Sequence, residues 1–461
     1  MSVAGAIAVP HPPLILPQVG RGEEKKIQKT IDGYREAAAM VARWQPETIV
    51  LVSPHTTIYA DYIHLSPGPG ASGDLRQFGV RDYALRVDYD EKFVDALSVL
   101  CKDKGIPAGT MGEREPALDY ATMIPLEFVN EKYRTYKLVR AGFAYLTPVE
   151  HYRFGKMIAA AAALLGRRIV FIASGDLSHK LKADGPYGFA PEGPDFDRQV
   201  TEAMAKGDFL KFLTFPDNFC EKAAECGLRA FQIMAGVLDG LAVQSKLLSY
   251  EGPFGVGYGV AAFSVTGTDP ARAFDRTAAE REQKSVDEAK SGEDAYVKLA
   301  RLSLETYVKT GKQAALPEGL PPEMTGKRAG AFVSIKKNGR LRGCIGTIGP
   351  VRESVAAEIL RNAVSAGQED PRFSPVEEKE LPSLVYSVDV LGETEPVADK
   401  SALDVKRYGV IVTSGGRRGL LLPNLEGIDD VDTQISIARQ KAGIGPSEPV
   451  TLERFEVIRH K

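Results

Sequence analysis

Residues 47–65, ETIVLVSPHTTIYADYIHL, place an unbroken apolar run directly before His55. A short apolar run that ends at a Ser-Pro turn is typical of a strand buried inside a sheet. The earlier stretch AGAIAVPHPPLILP, residues 4–17, repeats this arrangement with His11. Because open α/β sheets place their ligand sites at the carboxyl ends of the strands, both histidines are predicted to lie at one functional edge.

The first half of the chain alternates strand-like and helix-like segments. Apolar runs lie at residues 48–53, 136–143 and 168–176, and helical stretches such as residues 26–44 and 151–166 separate them. Alternation of this kind is typical of a sheet with helices on its faces. The sequence therefore predicts an α/β N-terminal domain whose strand ends carry the functional loops.

A change of composition near residue 268 predicts a domain boundary. The stretch TDPARAFDRTAAEREQKSVDEAKSGEDAY, residues 268–296, is rich in charge and poor in large apolar side chains. We therefore predict a first domain over residues 1–267, a linker that turns helical over 268–289, and a second domain over 290–461. The second domain mixes β-like runs with two helical stretches, which predicts an α+β fold.

Composition excludes several classes of partner. The chain has 461 residues and a formal net charge of -3, so no basic surface for nucleic acid is expected. No apolar run reaches the length of a membrane span, and no secretory signal pattern is present, which predicts a cytoplasmic protein without a membrane partner. The four cysteines lack paired C-x-x-C spacing, so neither a zinc knuckle nor a disulfide framework is indicated.

The segment RIVFIASGDLSHKL, residues 168–181, adds a third strand end with a histidine. Its apolar run leads into Asp176 and then His179. Asp176 is predicted to orient the loop or the His179 ring, since carboxylates commonly fix an imidazole tautomer. An ordinary turn aspartate is the alternative. The segment lacks the G-x-S-x-G elbow of α/β serine hydrolases, which argues against Ser178 as a nucleophile.

Glu251 completes a candidate metal site. It follows an apolar segment in LLSYEGPFGVGYGVAAF, residues 247–263, where a surface carboxylate before a turn is the alternative interpretation. His11, His55 and Glu251 together form the set of two imidazoles and one carboxylate that leaves an octahedral iron(II) ion three adjacent open positions. We therefore predict Fe(II) as the cofactor, with His179 left free for proton transfer.

These segments resemble the class III extradiol ring-cleavage dioxygenases, typified by the catalytic subunit of protocatechuate 4,5-dioxygenase, with the Memo-like proteins as relatives that are not dioxygenases. The motifs HPP, SPH, ASGDLSH and FAPEGPDFDR carry the resemblance, which covers residues 1–267. It implies an enzyme that acts with dioxygen on a small aromatic substrate. In that family, positions matching His11, His55 and Glu251 bind iron, and the position matching His179 is the acid/base histidine.

One position departs from the dioxygenase pattern. Where the family usually has a histidine in a segment like LDHG, this chain has ALDYATMIPLEF with Tyr120. A tyrosine hydroxyl can donate a hydrogen bond but does not carry a proton near neutral pH as imidazole does. Tyr120 is therefore predicted to contact substrate or an inner residue of the site, with altered substrate handling or loss of ring cleavage as the consequence.

The second half resembles the AMMECR1 domain over residues 290–461. The segments FVSIKKNGRLRGCIGTIGP, DPRFSPVEEKEL, YGVIVTSGGRRGLLLP and ISIARQKAGI carry this resemblance, and LRGCIG at 341–346 is its most specific part. In prokaryotes an AMMECR1 domain, a Memo-like domain and a radical-SAM protein often occur as one system. The resemblance therefore implies a radical-SAM protein as a partner.

Cys344 in RGCIG defines a candidate site in the second domain, together with Arg342. The thiol could act as a nucleophile, a ligand or a small buried side chain. Arg342 is expected to lower the pKa of Cys344 if both side chains face one cleft. The only histidine of this domain is His460 near its end, so a Cys-His pair is poorly supported.

Three classes of function remain open. The first is a non-haem iron(II) dioxygenase that cleaves a catecholic or related aromatic ring. The second is a metal-binding accessory protein of a radical-SAM system without ring-cleavage activity. The third is a structural interaction protein, against which the retention of four site residues argues. Tyr120 and the fused second domain favour the accessory protein over the dioxygenase.

Overall fold

The chain forms two compact units in a computed structural model, Met1–Arg281 and Glu282–Lys461. The structure describes residues 2–337, 339–425 and 428–461. The division between the units lies within the predicted linker 268–289. The segment Asp275–Ser291 is helical.

The first unit contains ten strands and the helices that flank them. The strands are β1 Val3–Val9, β2 Thr48–Val52, β3 Ile63–His64, β4 Gly70–Asp74, β5 Ala84–Asp88, β6 Ala108–Gly109, β7 Lys137–Ala141, β8 Ile169–Ser174, β9 Leu241–Glu251 and β10 Tyr258–Thr268. The α-helices are α1 Pro17–Gly20, α2 Gln28–Trp44, α3 Glu91–Asp103, α4 Tyr120–Asn130, α5 Pro148–Leu165, α6 Glu192–Lys206, α7 Phe209–Phe212, α8 Asp217–Ala223 and α9 Leu228–Val237, and α10 Asp275–Ser291 follows them. Short 3₁₀ turns lie at Pro13–Ile15, Glu23–Ile27, Arg76–Phe78 and Pro270–Arg272.

Six of these strands form one mixed sheet in the order β7-β2-β8-β1-β10-β9. Strands β7, β2, β8 and β1 are parallel, whereas β10 and β9 add antiparallel strands at one side. Val9 pairs with Ser174, and Val52 pairs with Ala173. The carboxyl ends of β1, β2 and β8 are therefore level with one another, so the loops that follow them start at the same edge.

Both faces of this sheet are covered. Side chains of β1 and β8 alternate between two buried clusters, with Ala6, Ala8 and Phe171 in one and Ile7 and Val170 in the other. Alternation between two buried faces explains why these strands are continuously apolar in sequence. The first unit is thus a three-layer α/β structure, as the sequence predicted.

The second unit is smaller and contains eight strands and four helices in its described part. The strands are β11 Ala331–Lys337, β12 Arg340–Gly346, β13 Leu384–Leu391, β14 Glu395–Val397, β15 Gly409–Ser414, β16 Arg417–Leu421, β17 Thr451–Phe455 and β18 Val457–His460. The helices are α11 Ala295–Thr310, α12 Pro322–Gly326, α13 Val355–Gln368 and α14 Val431–Lys441, with 3₁₀ turns at Glu378–Ser383 and Lys400–Ala402. The strands form two four-stranded sheets, β12-β11-β13-β18 and β14-β17-β15-β16.

Each sheet of the second unit is antiparallel and has its own helix partners. Helix α13 approaches β12 so closely that a Cβ at Gly343 would lie 2.0 Å from the carbonyl oxygen of Ala366. Phe332 from the first sheet joins Ile411 and Leu420 from the second in one apolar cluster. These contacts confirm the predicted α+β class for the second domain.

Within the ranges that the structure describes, no helix combines the length and the apolar character needed to cross a membrane.

Candidate functional site

His11 and His55 meet at the carboxyl edge of the first unit's sheet. Their ring centroids are 5.0 Å apart, with the ring planes at 87°. His11 follows β1 and is 2% exposed, while His55 follows β2 and keeps contact with solvent on one side. The level strand ends bring together two residues that are 44 positions apart in sequence.

The hydrogen bonds of His11 determine its tautomer. The Ser174 hydroxyl donates its single proton to the carbonyl oxygen of Ala121 at 2.7 Å. The Ser174 oxygen, 3.0 Å from His11 Nδ1, must therefore accept a hydrogen bond from this nitrogen. His11 Nε2 then carries a lone pair, which is the form of imidazole that binds a metal ion or accepts a proton.

His55 is held by the loop that precedes α4. Its backbone N–H donates to Ser53 Oγ at 3.1 Å, and the Ser53 hydroxyl donates to Asp119 Oδ1 at 2.6 Å. Asp119 also accepts from Thr122 N at 2.9 Å and so caps the first turn of α4. The next residue, Tyr120, has its hydroxyl 2.8 Å from His55 Nε2. Tyr120 therefore contacts His55 at this sheet edge.

Arg140 on β7 supports this loop from beneath. Its side chain is fully buried and donates to the carbonyl oxygens of Ala117 at 2.6 Å and Glu115 at 2.8 Å and to Ser66 Oγ at 2.7 Å. Its guanidinium also lies 3.9 Å from the Asp119 carboxylate. Arg140 thus fixes the backbone that presents Asp119 to Ser53. No sequence motif indicated that Arg140 and Asp119 would support this loop.

Cys226 joins the site from the turn before α9, and sequence reasoning missed it. Its Sγ lies 3.7 Å from His11 Nε2 and accepts from Asp176 N at 3.3 Å. Two glycines allow this approach, since a Cβ at Gly175 would lie 2.1 Å from the Cα of Gly227. The available sequence clue was the adjacent pair Cys226 and Gly227. However, 215 residues separate Cys226 from His11, so no local motif connects the two.

Asp176 lies between His11 and Cys226. Its Oδ1 accepts from the backbone N–H of His11 at 2.7 Å, and its Oδ2 is 3.9 Å from His11 Nε2. Burial raises the pKa of Asp176 to about 6. The carboxylate therefore fixes the position of the His11 backbone.

His179 follows the same loop and is partly buried. Its Nε2 is buried and has no hydrogen-bond partner among the described residues, and its ring stacks on Tyr187 with centroids 5.0 Å apart. A buried ring nitrogen without a partner is rare in folded proteins. This nitrogen is therefore open to a hydrogen-bond partner from a bound ligand.

The electrostatics keep all three histidines neutral. Burial and then the neighbouring His55 lower the pKa of His11 well below its ordinary value. Loss of water from the packed side of His55 lowers its pKa, although Asp119 and Asp176 oppose this shift. Burial likewise lowers the pKa of His179. At neutral pH the site therefore offers uncharged imidazoles, which can bind a cation or accept a proton.

Glu251 is not brought to the two histidines by any contact of the described residues. Its Oε1 accepts from the backbone N–H of Thr30 at 2.7 Å and from the Thr30 hydroxyl at 2.8 Å. Thr30 lies in the first turn of α2, where backbone N–H groups have no intrahelical partner. The carboxylate thus stabilises the start of α2, and this role accounts for its position at the end of β9.

No group of three or more His, Cys, Asp and Glu side chains in residues 2–337, 339–425 and 428–461 is arranged closely enough to hold a metal ion. At the sheet edge, the ring centroids of His11 and His55 lie 5.0 Å apart, and Cys226 lies beside His11. The case for a metal site therefore rests on the donor atoms themselves. The most important of these is His11 Nε2, which carries a lone pair.

Asp197 on α6 supports the loop that carries His179. It is fully buried, and its carboxylate accepts from Ser178 N at 2.7 Å and from the Tyr250 hydroxyl at 2.8 Å. Burial raises the pKa of Asp197 to about 7, although both hydrogen bonds oppose this shift. The native state therefore holds a proton at Asp197 over a pH range in which the unfolded chain does not.

We expect Asp197→Asn to become increasingly stabilising, relative to the parent, as pH rises from 5 to 7. An aspartate in the unfolded chain has a pKa of about 3.9, so the parent loses stability between that value and its folded pKa of about 7. The free energy of unfolding of the parent falls by at most about 1.4 kcal/mol per pH unit. Urea unfolding at several pH values measures it. Asp195→Asn, on the exposed side of α6, is the control. The expectation is contradicted if the difference in free energy of unfolding between Asp197→Asn and the parent stays constant across this pH range.

In the second unit, the hydrogen bonds of Arg342 go to groups other than Cys344. Its guanidinium donates to Glu380 from Nε at 3.1 Å and from Nη2 at 2.9 Å, and to the carbonyl oxygen of Ser374 at 2.9 Å. A bidentate pair of this kind uses the donor groups of the guanidinium. Arg342 therefore anchors the 3₁₀ turn at Glu378–Ser383.

Comparison with known proteins identifies both units. A family model described as the catalytic LigB subunit of aromatic ring-opening dioxygenase matches residues 5–261, and one described as AMMECR1 matches residues 297–460. The first match covers more than half of the chain. This chain belongs to the LigB dioxygenase-like family and carries a fused AMMECR1 domain. Both resemblances inferred from sequence are thereby confirmed.

The relatives differ in how much of the chain they share. Protein CA_C1420 of Clostridium acetobutylicum is 41% identical over 471 residues and covers 100% of both chains. A Thermotoga maritima protein is 50% identical over 172 residues, which are 37% of this chain and 99% of that protein. The crystal structure of the uncharacterised protein PH0010 from Pyrococcus horikoshii aligns with a TM-score of 0.35 at 32% identity, over 36% of this chain and 89% of its own. The Clostridium relative matches this chain across both units.

Proposed function

We propose that the first unit is an iron(II)-dependent dioxygenase that acts on a catecholic or related aromatic substrate. The observation that carries this proposal is the meeting of His11 and His55 at one sheet edge, with the lone pair of His11 Nε2 left free by the Ser174 hydrogen bond. Neutral imidazoles at strand ends are the main ligands of non-haem iron sites. The family assignment supports the same class of chemistry.

The donor chemistry of these residues fits a metal ion. His11 and His55 supply imidazole nitrogens, and Cys226 supplies a sulfur 3.7 Å from His11 Nε2. We include Cys226 rather than Glu251 in this donor set, because the Glu251 carboxylate accepts two hydrogen bonds from Thr30. When bound, iron(II) would supply Lewis-acid and redox chemistry toward a catecholate and dioxygen.

The chain itself supplies proton transfer and orientation. His179 is neutral and has a buried Nε2 without a partner, so it accepts the proton that a catechol hydroxyl loses on binding and returns it during ring opening. Tyr120 holds the His55 ring through its hydroxyl at 2.8 Å. Tyr187, stacked on His179, keeps that ring in place and offers an aromatic face to the substrate.

A metal-binding accessory role is the second candidate, and Cys226 is the observation that favours it. A thiolate is a softer ligand than a carboxylate and suits redox-active or thiophilic metals. Tyr120 stands where ring-cleaving relatives usually have a histidine, so one proton carrier is missing. In this alternative the site serves redox chemistry together with a radical-SAM partner that binds the chain, and no aromatic ring is opened.

Oxygen uptake separates the two candidates. We expect the iron-loaded protein to consume dioxygen with at least one member of a catechol panel and to yield a coloured ring-opened product. An oxygen electrode and absorbance spectra measure both. The His55→Ala variant, treated in the same way, is the matched control. If no catechol is consumed at full iron loading, the dioxygenase proposal fails and the accessory role leads, which then requires measurable binding of a radical-SAM protein.

A further inference from the structure

The hydroxyl of Tyr120 contacts one ring nitrogen of His55. Its oxygen lies 2.8 Å from His55 Nε2, and the described residues offer this hydroxyl no other hydrogen-bond partner. A phenol has an ordinary pKa of about 10, so at neutral pH the hydroxyl has one proton to donate. The imidazole lone pair is the better acceptor, because the lone pairs of a phenol oxygen are partly delocalised into its ring. Tyr120 is therefore the donor in this bond, and His55 Nε2 is the acceptor.

This bond determines which nitrogen of His55 carries a proton. A neutral imidazole has one N–H and one lone pair. Since Nε2 accepts from Tyr120, the N–H of His55 lies at Nδ1. The lone pair with which His55 could bind a cation is thus the one that the Tyr120 hydroxyl uses. His11 differs, because Ser174 contacts its Nδ1 and leaves the lone pair of Nε2 without a hydroxyl donor.

Packing and a helix cap hold Tyr120 in this position. The ring centroids of Tyr120 and His55 lie 4.6 Å apart with the planes at 30°, and Phe78 meets the Tyr120 ring edge-on at 5.4 Å and 88°. Asp119 caps α4 directly before Tyr120 and accepts from the Ser53 hydroxyl at 2.6 Å. The hydroxyl thus reaches His55 from a fixed helix start, so the contact is part of the folded structure.

A metal ion and the Tyr120 hydroxyl compete for this lone pair. A lone pair that accepts a hydrogen bond does not bind a cation at the same time, so the bond from Tyr120 breaks before His55 becomes a ligand. The apparent affinity for a ligand falls with the fraction of protein in the binding-competent state. The contact therefore lowers the metal affinity below the value that the imidazoles alone would give.

We propose that Tyr120 is a latch on His55, whose hydroxyl occupies the Nε2 lone pair until a metal ion displaces it. The latch rests on the proposed iron site, because it acts only when a metal binds there. In the exchange the hydroxyl keeps its proton and the N–H of His55 stays at Nδ1, so no proton leaves the protein. Tyr120 is a positioning residue in this role, since it acts through His55.

The Tyr120→Phe variant of the full-length protein tests the latch. It removes the hydroxyl but keeps the ring that packs on His55 and Phe78. We expect the affinity for iron(II), measured by anaerobic competition with a chelator, to rise about 3- to 10-fold, as loss of one competing hydrogen bond predicts. Near-ultraviolet difference spectra give a second readout. Iron(II) should change tyrosine absorbance in the parent, because Tyr120 loses its acceptor, and should leave it unchanged in the variant.

Tyr83→Phe is the matched control. It removes a tyrosine hydroxyl that donates to Glu127 on the same helix at 2.7 Å, so it should leave the iron affinity and the absorbance change as in the parent. Circular dichroism checks that both variants fold. Equal or weaker iron binding in Tyr120→Phe overturns the latch alone, as does an equal gain in Tyr83→Phe. If neither the parent nor Tyr120→Phe binds iron, the proposed iron site and the latch both fail.

Discussion

Replacing His11 and His55 together with alanine is expected to remove iron(II) binding from the protein. The parent should bind one iron per chain after anaerobic reconstitution, and the double variant should lose affinity by more than about 100-fold, since even outer partners of metal ligands contribute 10- to 100-fold. The physical reason is the loss of both imidazoles, including the Nε2 lone pair that Ser174 orients. Metal analysis and competition with a chelator measure the change.

Two variants serve as controls for this result. His460→Ala removes a histidine of the second unit that contacts Asp294, and it should leave iron binding unchanged. Glu251→Gln keeps an oxygen acceptor for Thr30 but removes the negative charge. It too should bind iron normally, and a large loss in this variant would restore Glu251 as a ligand. Unchanged binding in the double histidine variant would place the metal site elsewhere.

His179→Ala is expected to keep the iron but lose most of the turnover. General acid–base catalysis by a positioned side chain contributes about 10²- to 10⁴-fold, so the rate with an accepted catechol should fall by about that factor. His55→Ala should lose both metal and turnover. Parallel measurement of iron content and oxygen consumption in these two variants distinguishes a proton carrier from a ligand.

Equal loss of metal in His179→Ala and His55→Ala would overturn the role given to His179. In that event the buried Nε2 of His179 would be a metal donor, and the proton would need another carrier. A variant with normal iron and normal turnover would instead make His179 a structural residue that packs on Tyr187.

Local sequence patterns were sufficient to predict the main strands and helices and the sheet edge at which the histidines lie. The helical stretch at 26–44 contains α2, and the apolar run at 168–176 contains β8. Such patterns suffice because a strand buried on both faces must be apolar throughout, and a helix must repeat its apolar positions. His11, His55 and the loop carrying His179 follow from the same logic, since parallel strands end at one edge.

The sequence by itself determined the two folds and the placement of three histidines after strands. Only the tertiary structure decided which side chains meet. Cys226 reaches His11 because two glycines let distant loops touch, and Glu251 turns to Thr30 because the start of α2 offers unpaired N–H groups. In the second unit, Arg342 binds Glu380, whereas Arg372 binds the carbonyl oxygen of Cys344. Side-chain partners depend on contacts between segments far apart in sequence, and local sequence patterns do not predict such contacts.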